Sequence, residues 1–354
     1  MCGYLSSNFL LYRQALCAKY LIYFVLFDLA RMGGAFMEEQ QRLEFFPVTI
    51  FSIVMGLSGL ALAWQKAQHV LDLNLGLNFP LAGLSVGIFV ILAVFYITKL
   101  VKHPNAVKAE LKHPVKLSFF PAISISLILL GTVLLNIMPD LAKPVWWAGV
   151  VLQFILLLYV FSSWVNHEHF ETAHVNPSWF IPAVGNVVVP IAGFSFGYVE
   201  LSWFFFSIGI LFWIVLLTIV FNRILFHNPI PPKLLPTMAI LIAPPAVGFV
   251  AYTKMAGGLD HFGHFMYGAA LFFTVFIATQ IPKFVKLPFF LSWWAYSFPF
   301  ASVTIATFIM FEQTKVIEYL YGAQFMLVVL SLLLALLSFK TIMAVIHGKI
   351  CLPD

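Results

Sequence analysis

The chain has 354 residues, of which 62% are hydrophobic and only 9% are charged. Soluble domains carry roughly 25% charged residues, so this composition excludes a soluble globular protein and indicates a membrane protein. The apolar runs are continuous rather than alternating, which excludes a β-barrel and favours membrane-spanning helices. The formal net charge of +5 therefore reports topology, and we expect no nucleic-acid partner.

Residues 1–36 differ from the rest of the chain. Their apolar run at residues 20–27 is interrupted by Asp28 and Arg31 and is too short to cross a bilayer. Three interpretations are open: a signal peptide, an interfacial helix, or an upstream translation artefact before a natural start at Met37. The third is favoured, because MEEQQRLEFFP is an ordinary short cytoplasmic lead into a first span.

The remainder of the chain predicts an all-α membrane protein. A ten-helix transmembrane domain is expected over residues 37–346, followed by a short cytoplasmic tail at residues 347–354. The connections are short, so consecutive helices are antiparallel neighbours and make five helical hairpins. The predicted spans are 46–64, 81–100, 118–137, 145–164, 178–197, 201–221, 235–253, 263–281, 290–310 and 319–340.

The placement of lysine and arginine predicts the orientation. If the N-terminus is cytoplasmic, most of these residues fall on the cytoplasmic side, chiefly in the loop KHPNAVKAELKHPVK after the second span. An even number of spans then places both termini in the cytoplasm. The expected location is the cell inner membrane, crossed many times.

Helix-breaking residues divide the spans into two classes. The even-numbered spans have proline only at their ends, whereas the odd-numbered spans contain internal breakers. Kinked helices need protein neighbours, so the odd helices are expected inside, around a central path, and the even helices outside against lipid. This predicts a quasi-fivefold arrangement with pore kinks at Gly56, Gly131, Pro190, Pro244 and Pro299.

The ninth span, SWWAYSFPFASVTIATFIM, has Pro299 between Phe298 and Phe300. A phenylalanine ring in a narrow apolar pore would block it sterically and by dewetting. The two rings are two positions apart, about 200° around the helix, so both cannot point into the same pore. The pattern predicts a phenylalanine gate at one of these two residues.

The interior of the ten spans holds no Asp, Glu, Lys or Arg. Ion-coupled transporters and proton pumps usually carry such residues as relays, so this absence favours passive movement of small anions through a weakly polar path. Each hydroxyl could instead bond a neighbouring helix, and Asn186 could face the pore or bond another helix. The candidate pore-lining polar residues are Ser52, Ser124, Asn186, Ser297 and Ser302.

The loop NHEHFETAH contains ligand types for a metal, at His167, Glu168, His169, Glu171 and His174. A membrane di-iron enzyme needs several such histidine clusters, and the sequence has one, so a solvated cytoplasmic loop is favoured. No nucleophile motif, phosphate loop or dinucleotide fingerprint is present. We therefore expect no enzyme activity, no metal and no cofactor.

Several motifs resemble one known family. The ninth span, the first span FPVTIFSIVMGLSGLALAW, and the stretches VGNVVVP and APPAVG are similar to the bacterial tellurite-resistance TehA proteins and the plant guard-cell slow anion channels, over about residues 44–345. The resemblance implies a homotrimer in which the five odd helices of each protomer form a pore closed by a ninth-helix phenylalanine. Aligning the Trp-x-Tyr-x-Phe-Pro stretch gives that role to Phe298 and leaves Phe300 as the second candidate.

Three functions follow as hypotheses. The favoured one is a passive channel for small inorganic anions such as chloride or nitrate, embedded in the lipid bilayer. The alternative from the same family is a carrier or exporter of tellurite or C4-dicarboxylates. A dicarboxylate site would need arginine or lysine near mid-membrane, which the sequence does not offer. The third, a membrane enzyme using the histidine loop, predicts stoichiometric metal in the purified protein.

Overall fold

The computed structural model describes residues 42–166 and 170–352 of the chain. Residues 47–349 form one compact unit, and the described residues 42–46 and 350–352 belong to a second unit. The described part is helical and contains no strand. The leader at residues 1–36 and the proposed start at Met37 lie outside the described residues.

Nine helices in the described part are long and apolar enough to span a membrane. A tenth apolar segment, Pro177–Gly193, is shorter. We number the ten as segments in chain order, with Pro177–Gly193 as the fifth. The others are Val48–Val70, Asn78–Lys102, Lys116–Leu134, Pro139–Asn166, Val199–Phe226, Leu235–Ala256, His261–Thr279, Leu291–Thr314 and Ile317–Ile346.

The fifth segment is broken rather than continuous. It consists of the helices Phe180–Val184 and Val189–Gly193, joined by the 3₁₀ turn Gly185–Val188. Pro182 lies in the first helix and Pro190 in the first turn of the second. A proline lacks the N–H that an α-helix needs and its ring crowds the preceding turn. The sequence predicts ten spans with a kink at Pro190, whereas the described residues form nine long spans and this shorter segment, which is broken just before Pro190.

Burial separates the odd segments from the even ones. In their most apolar stretches, 61% to 89% of the residues are buried in the first, third, seventh and ninth segments, against 22% to 33% in the even segments. The residues of the fifth segment are nearly all buried as well. The odd segments therefore form the core of the unit, and the even segments present their apolar side chains outward.

Each odd segment begins with a 3₁₀ turn that passes into an α-helix. A 3₁₀ turn is tighter than an α-helix and commonly starts or ends one. In the other four odd segments a proline lies in the first turn of the α-helix that follows, at Pro121, Pro182, Pro244 and Pro299, whereas in the first segment Pro47 precedes the 3₁₀ turn. The five turns are Val48–Phe51, Lys116–Phe119, Pro177–Trp179, Leu235–Ile242 and Leu291–Tyr296.

The odd segments contact one another in a closed ring. Their 3₁₀ turns touch in the order first, third, fifth, seventh and ninth, and the ninth touches the first again. Their α-helical parts repeat the same closed order. Each even segment packs on the odd segment before it and on the odd segment that follows it in the ring. We call these five odd segments the inner ring, with an N-terminal mouth at the 3₁₀ turns and a C-terminal mouth at the opposite end.

Candidate functional site in the inner ring

The ninth segment changes from a 3₁₀ turn to an α-helix immediately before its proline. The turn Leu291–Tyr296 precedes the helix Ser297–Thr314, which places Pro299 in the first helical turn. The first N–H groups of a helix have no intrahelical partner, so proline costs little there. Ser297 Oγ donates to the Trp294 carbonyl at 2.6 Å and joins the two parts of the segment. The break is therefore a junction between two helix types.

Phe298 lies where the ninth segment meets the first. A Cβ placed on Gly59 would be 3.5 Å from Phe298 Cδ2 and 2.9 Å from Ala301 Cβ. Phe298 and Phe300 are both half-buried. The small residue at position 59 therefore gives the Phe298 side chain its room.

The predicted kink positions have two different structural roles. Pro190 and Pro244, like Pro299, lie in the first turn of an α-helix that follows a 3₁₀ turn. Gly56 and Gly131 lie inside the uninterrupted helices Ser52–Val70 and Pro121–Leu134. At these two glycines the missing side chain permits close packing, and the helix continues through them.

The two close contacts are tight. A Cβ on Gly56 would lie 2.7 Å from Ser297 Cβ in the ninth segment. A Cβ on Gly131 would lie 2.6 Å from Trp146 Cβ in the fourth. Small residues are the usual means by which membrane helices approach closely.

The predicted pore-lining serines bond to the backbone of their own segments. These bonds use the single hydroxyl donor that each serine has. Among the described residues of the inner ring, the buried polar side chains are serine, threonine and asparagine. The serine bonds run from Ser52 to Thr49 O at 2.7 Å, Ser124 to Pro121 O at 2.9 Å, Ser297 to Trp294 O at 2.6 Å and Ser302 to Phe298 O at 2.8 Å.

Asn186 donates hydrogen bonds to backbone carbonyls near the break in its own segment. Its Nδ2 donates to Pro182 O at 3.1 Å and to Ala183 O at 2.7 Å. The residue is fully buried, and its Oδ1 has no hydrogen-bond partner among the described residues. The amide donors thus satisfy carbonyls of the fifth segment, and do not reach another helix.

Gln153 is a buried polar residue that the sequence did not single out. It lies in the fourth segment and contacts two others. Its Nε2 donates to Pro182 O of the fifth segment at 3.0 Å, and its Oε1 accepts from Ser124 Oγ of the third segment at 2.7 Å. It therefore ties the third segment to the fifth. In the sequence, the only indication of this role is that Gln153 is a single amide in an otherwise apolar span. The residue was missed because the even spans are expected to face lipid.

Charged side chains gather at the C-terminal mouth. Lys66 Nζ forms an ion pair with Glu312, and His69 Nδ1 lies 3.2 Å from Glu312 Oε1. Lys254 Nζ donates to Ile191 O at 2.6 Å. These residues escaped the sequence prediction because the first, seventh and ninth segments extend beyond the predicted ends at residues 64, 253 and 310.

A buried ion pair joins the end of the second segment to the loop that follows it. Lys99 Nζ is 2.9 Å from Glu110 Oε2, with side chains only 1% and 7% exposed. Tyr96 Oη donates to the same carboxylate at 2.9 Å. Glu110 belongs to a short helix, Pro104–Lys112, with its lysines at positions 108 and 112 exposed. The lysine-rich loop is therefore partly anchored to the second segment.

Comparison with known proteins gives the family. The model of the voltage-dependent anion channel family, SLAC1, matches residues 45–342. The chain belongs to this family. The resemblance to slow anion channels and TehA proteins is thereby confirmed.

Individual relatives of this SLAC1-family chain come from plants, archaea and bacteria. It is 30% identical to the S-type anion channel SLAH3 of Arabidopsis thaliana over 269 residues, covering 74% of the chain and 42% of SLAH3. It is 27% identical to the uncharacterized transporter MJ0762 of Methanocaldococcus jannaschii over 337 residues, covering 88% and 98%. It is 26% identical to a tellurite resistance protein TehA homolog of Haemophilus influenzae over 259 residues, covering 73% and 79%. The chain thus spans less than half the length of SLAH3.

The histidine loop of this SLAC1-family chain is described only in part. His167, Glu168 and His169 lie outside the described residues. The remaining two predicted ligands serve a local turn, in which the backbone N–H of Glu171 donates to His174 Nδ1 at 3.1 Å. Among the described residues there is no group of three or more His, Cys, Asp or Glu side chains that could hold a metal ion.

Proposed function

We propose that this protein is a passive channel for small monovalent anions such as chloride and nitrate. The observation that carries the proposal is the closed inner ring of five odd segments in a chain of the voltage-dependent anion channel family. On this proposal the ten segments act as five hairpins in a quasi-fivefold arrangement. The odd segments line the path and the even segments face lipid, in agreement with their burial.

The polarity of the inner ring supports passive flow. Its buried polar residues are neutral, and the charged residues described above lie near segment ends. Conduction requires that an ion bind well enough to enter and weakly enough to leave. A hydroxyl group whose single donor is already bonded to the backbone offers no tight site to an anion. We therefore assign Ser52, Ser124, Ser297 and Ser302 to the wall of the path.

We assign the gate to Phe298. Its position between the first and ninth segments, beside Gly59, is the support for this choice. A ring at a narrow point of an apolar path blocks ions by bulk and by excluding water. Phe300 is the second candidate, about 200° around the helix.

The assembly and orientation are also proposals. The resemblance to TehA proteins and slow anion channels supports a homotrimer with one path in each protomer. The lysines of the loop after the second segment, with the positive-inside rule, support cytoplasmic termini and location in the inner membrane. The N-terminal mouth then opens to the cytoplasm.

Removing the gate ring tests the central proposal. We expect Phe298→Ala to raise anion current across planar bilayers at least tenfold, because the obstruction is removed while the wall remains. Phe272→Ala is the matched control, since Phe272 is 63% exposed on an even segment. It should leave the current at the wild-type level.

Other outcomes would redirect the proposal. Current from Phe300→Ala but not from Phe298→Ala would move the gate by two residues. Uptake of labelled dicarboxylate or tellurite without current in either variant would favour the carrier function. The carrier alternative is compatible with the name of the TehA homolog. A dicarboxylate carrier would need a lysine or arginine near the middle of the inner ring, and the described residues of the ring place none there.

A further inference from the structure

The C-terminal mouth brings charges together from several members of the inner ring. Lys66 and His69 come from the first segment, and Glu312 comes from the ninth. Lys254 comes from the seventh and bonds Ile191 O of the fifth. Four of the five inner segments therefore contribute to one polar cluster, which we call the mouth cluster.

Two of these charges are ammonium groups, those of Lys66 and Lys254. Their segments, the first and the seventh, are not consecutive in the ring, because the ninth lies between them. The two positive charges therefore come from separate parts of the ring end.

The two lysines differ in how their charge is compensated. Lys66 forms an ion pair with Glu312, and the other oxygen of the same carboxylate lies near His69 Nδ1. Lys254 is exposed and bonds a neutral carbonyl, and none of the ion pairs within the described ranges includes it. An ammonium group has three donors. Lys254 thus has two further donors at the mouth.

We propose that Lys254 binds the permeating small anion at the C-terminal mouth, while the Lys66–Glu312 pair sets the local field. This inference rests on the proposed channel function and adds a site for its substrate. Fixed charge at a cleft bounded by low-dielectric walls raises the local concentration of counter-ions. Such a site increases conductance when anions are scarce and has little effect when salt is abundant, because salt screens it.

The test is the salt dependence of conductance in the open Phe298→Ala background. We expect Lys254→Gln to lower chloride conductance severalfold at 0.05 M salt and to leave it nearly unchanged at 1 M, where the Debye length is about 3 Å. Glu312→Gln should raise conductance at low salt, because Lys66 then loses its compensating charge. Lys254→Arg should retain the wild-type behaviour.

Lys143→Gln is the matched control, since it removes the same charge from an even segment, where the ammonium lies 5.1 Å from the Tyr198 ring centroid. An equal loss of conductance in this variant would overturn the Lys254 site and indicate diffuse surface charge. Unchanged conductance of Lys254→Gln at low salt would do the same. Absence of anion current in both the Phe298→Ala and the Phe300→Ala backgrounds would instead reject the channel function.

Discussion

A single hydrogen atom in place of a side chain decides how closely the first and ninth segments approach. Gly56 faces Ser297, and Gly59 faces Phe298 and Ala301. Both glycines lie within one continuous helix. In the sequence they predict helix breaking, since glycine is flexible, but the neighbour that uses the missing Cβ is more than 200 positions away. Sequence alone cannot distinguish these two uses of glycine.

We expect Gly56→Ala to lower the free energy of unfolding by about 1–3 kcal/mol, as is usual when a methyl group is forced into a packed core. The added Cβ would lie 2.7 Å from Ser297 Cβ. Gly83→Ala is the control, because a Cβ there meets nothing within 4 Å. Thermal denaturation in detergent should show a lower midpoint for the first variant only. Equal midpoints would mean that the seam at Gly56 is looser than described.

At the scale of elements, the sequence predicts which segments are internal better than it predicts their shape. The prolines of the odd segments mark missing N–H donors, and this information is local. Whether the backbone at such a proline forms a bend, a break or a 3₁₀ turn depends on contacts between segments that are distant in sequence. The five 3₁₀ turns touch each other in a ring, so their form is set by tertiary packing.

Segment ends show the same limitation. Hydropathy places the end of a span where polar residues begin. In the structure Lys66, Lys254 and Glu312 continue their helices because each finds a partner there. A helix can continue past a charged residue when that residue has a partner. The partner here belongs to a distant part of the sequence, so the local hydropathy does not reveal it. The mouth cluster was missed for this reason.

The short helix Pro104–Lys112 provides a test at this scale. We expect Glu110→Ala to destabilise the protein by roughly 3 kcal/mol, because it breaks a buried ion pair by removing the carboxylate that Lys99 contacts. Lys108→Ala changes an exposed charge on the same helix and should have little effect. Thermal midpoints of the two purified variants make the comparison. A larger loss for Lys108→Ala would contradict the anchoring role of Glu110.

For the whole molecule, composition and lysine placement establish a many-spanning helical protein before any contact is known. The predicted division into inner odd and outer even spans agrees with the burial difference between the segments, although Pro144, expected at a span end, lies inside the fourth helix. The closed contact order of the inner ring requires the structure, because many arrangements of ten antiparallel helices satisfy the same apolar pattern. Trimer formation and orientation remain proposals drawn from the family resemblance and the charge distribution.

Orientation has a direct test. In a background with Cys2, Cys17 and Cys351 replaced by serine, we expect Leu75→Cys to react with a membrane-impermeant maleimide added to intact cells. Leu75 is 57% exposed between the first and second segments. Lys112→Cys, on the other side of the second segment, should react only after the membrane is opened. The reverse pattern would invert the proposed topology.

The common direction of the five inner segments has one more consequence. Each helix carries a macrodipole, with about half a positive charge at its N-terminus and half a negative charge at its C-terminus. All five N-termini meet at one mouth, so the dipoles add along the axis of the ring instead of cancelling. On the proposed channel function, an anion entering at one mouth meets the positive end first and an anion entering at the other meets the negative end first, where the lysines of the mouth cluster offset the dipoles. We therefore expect the current to depend on the sign of the applied voltage.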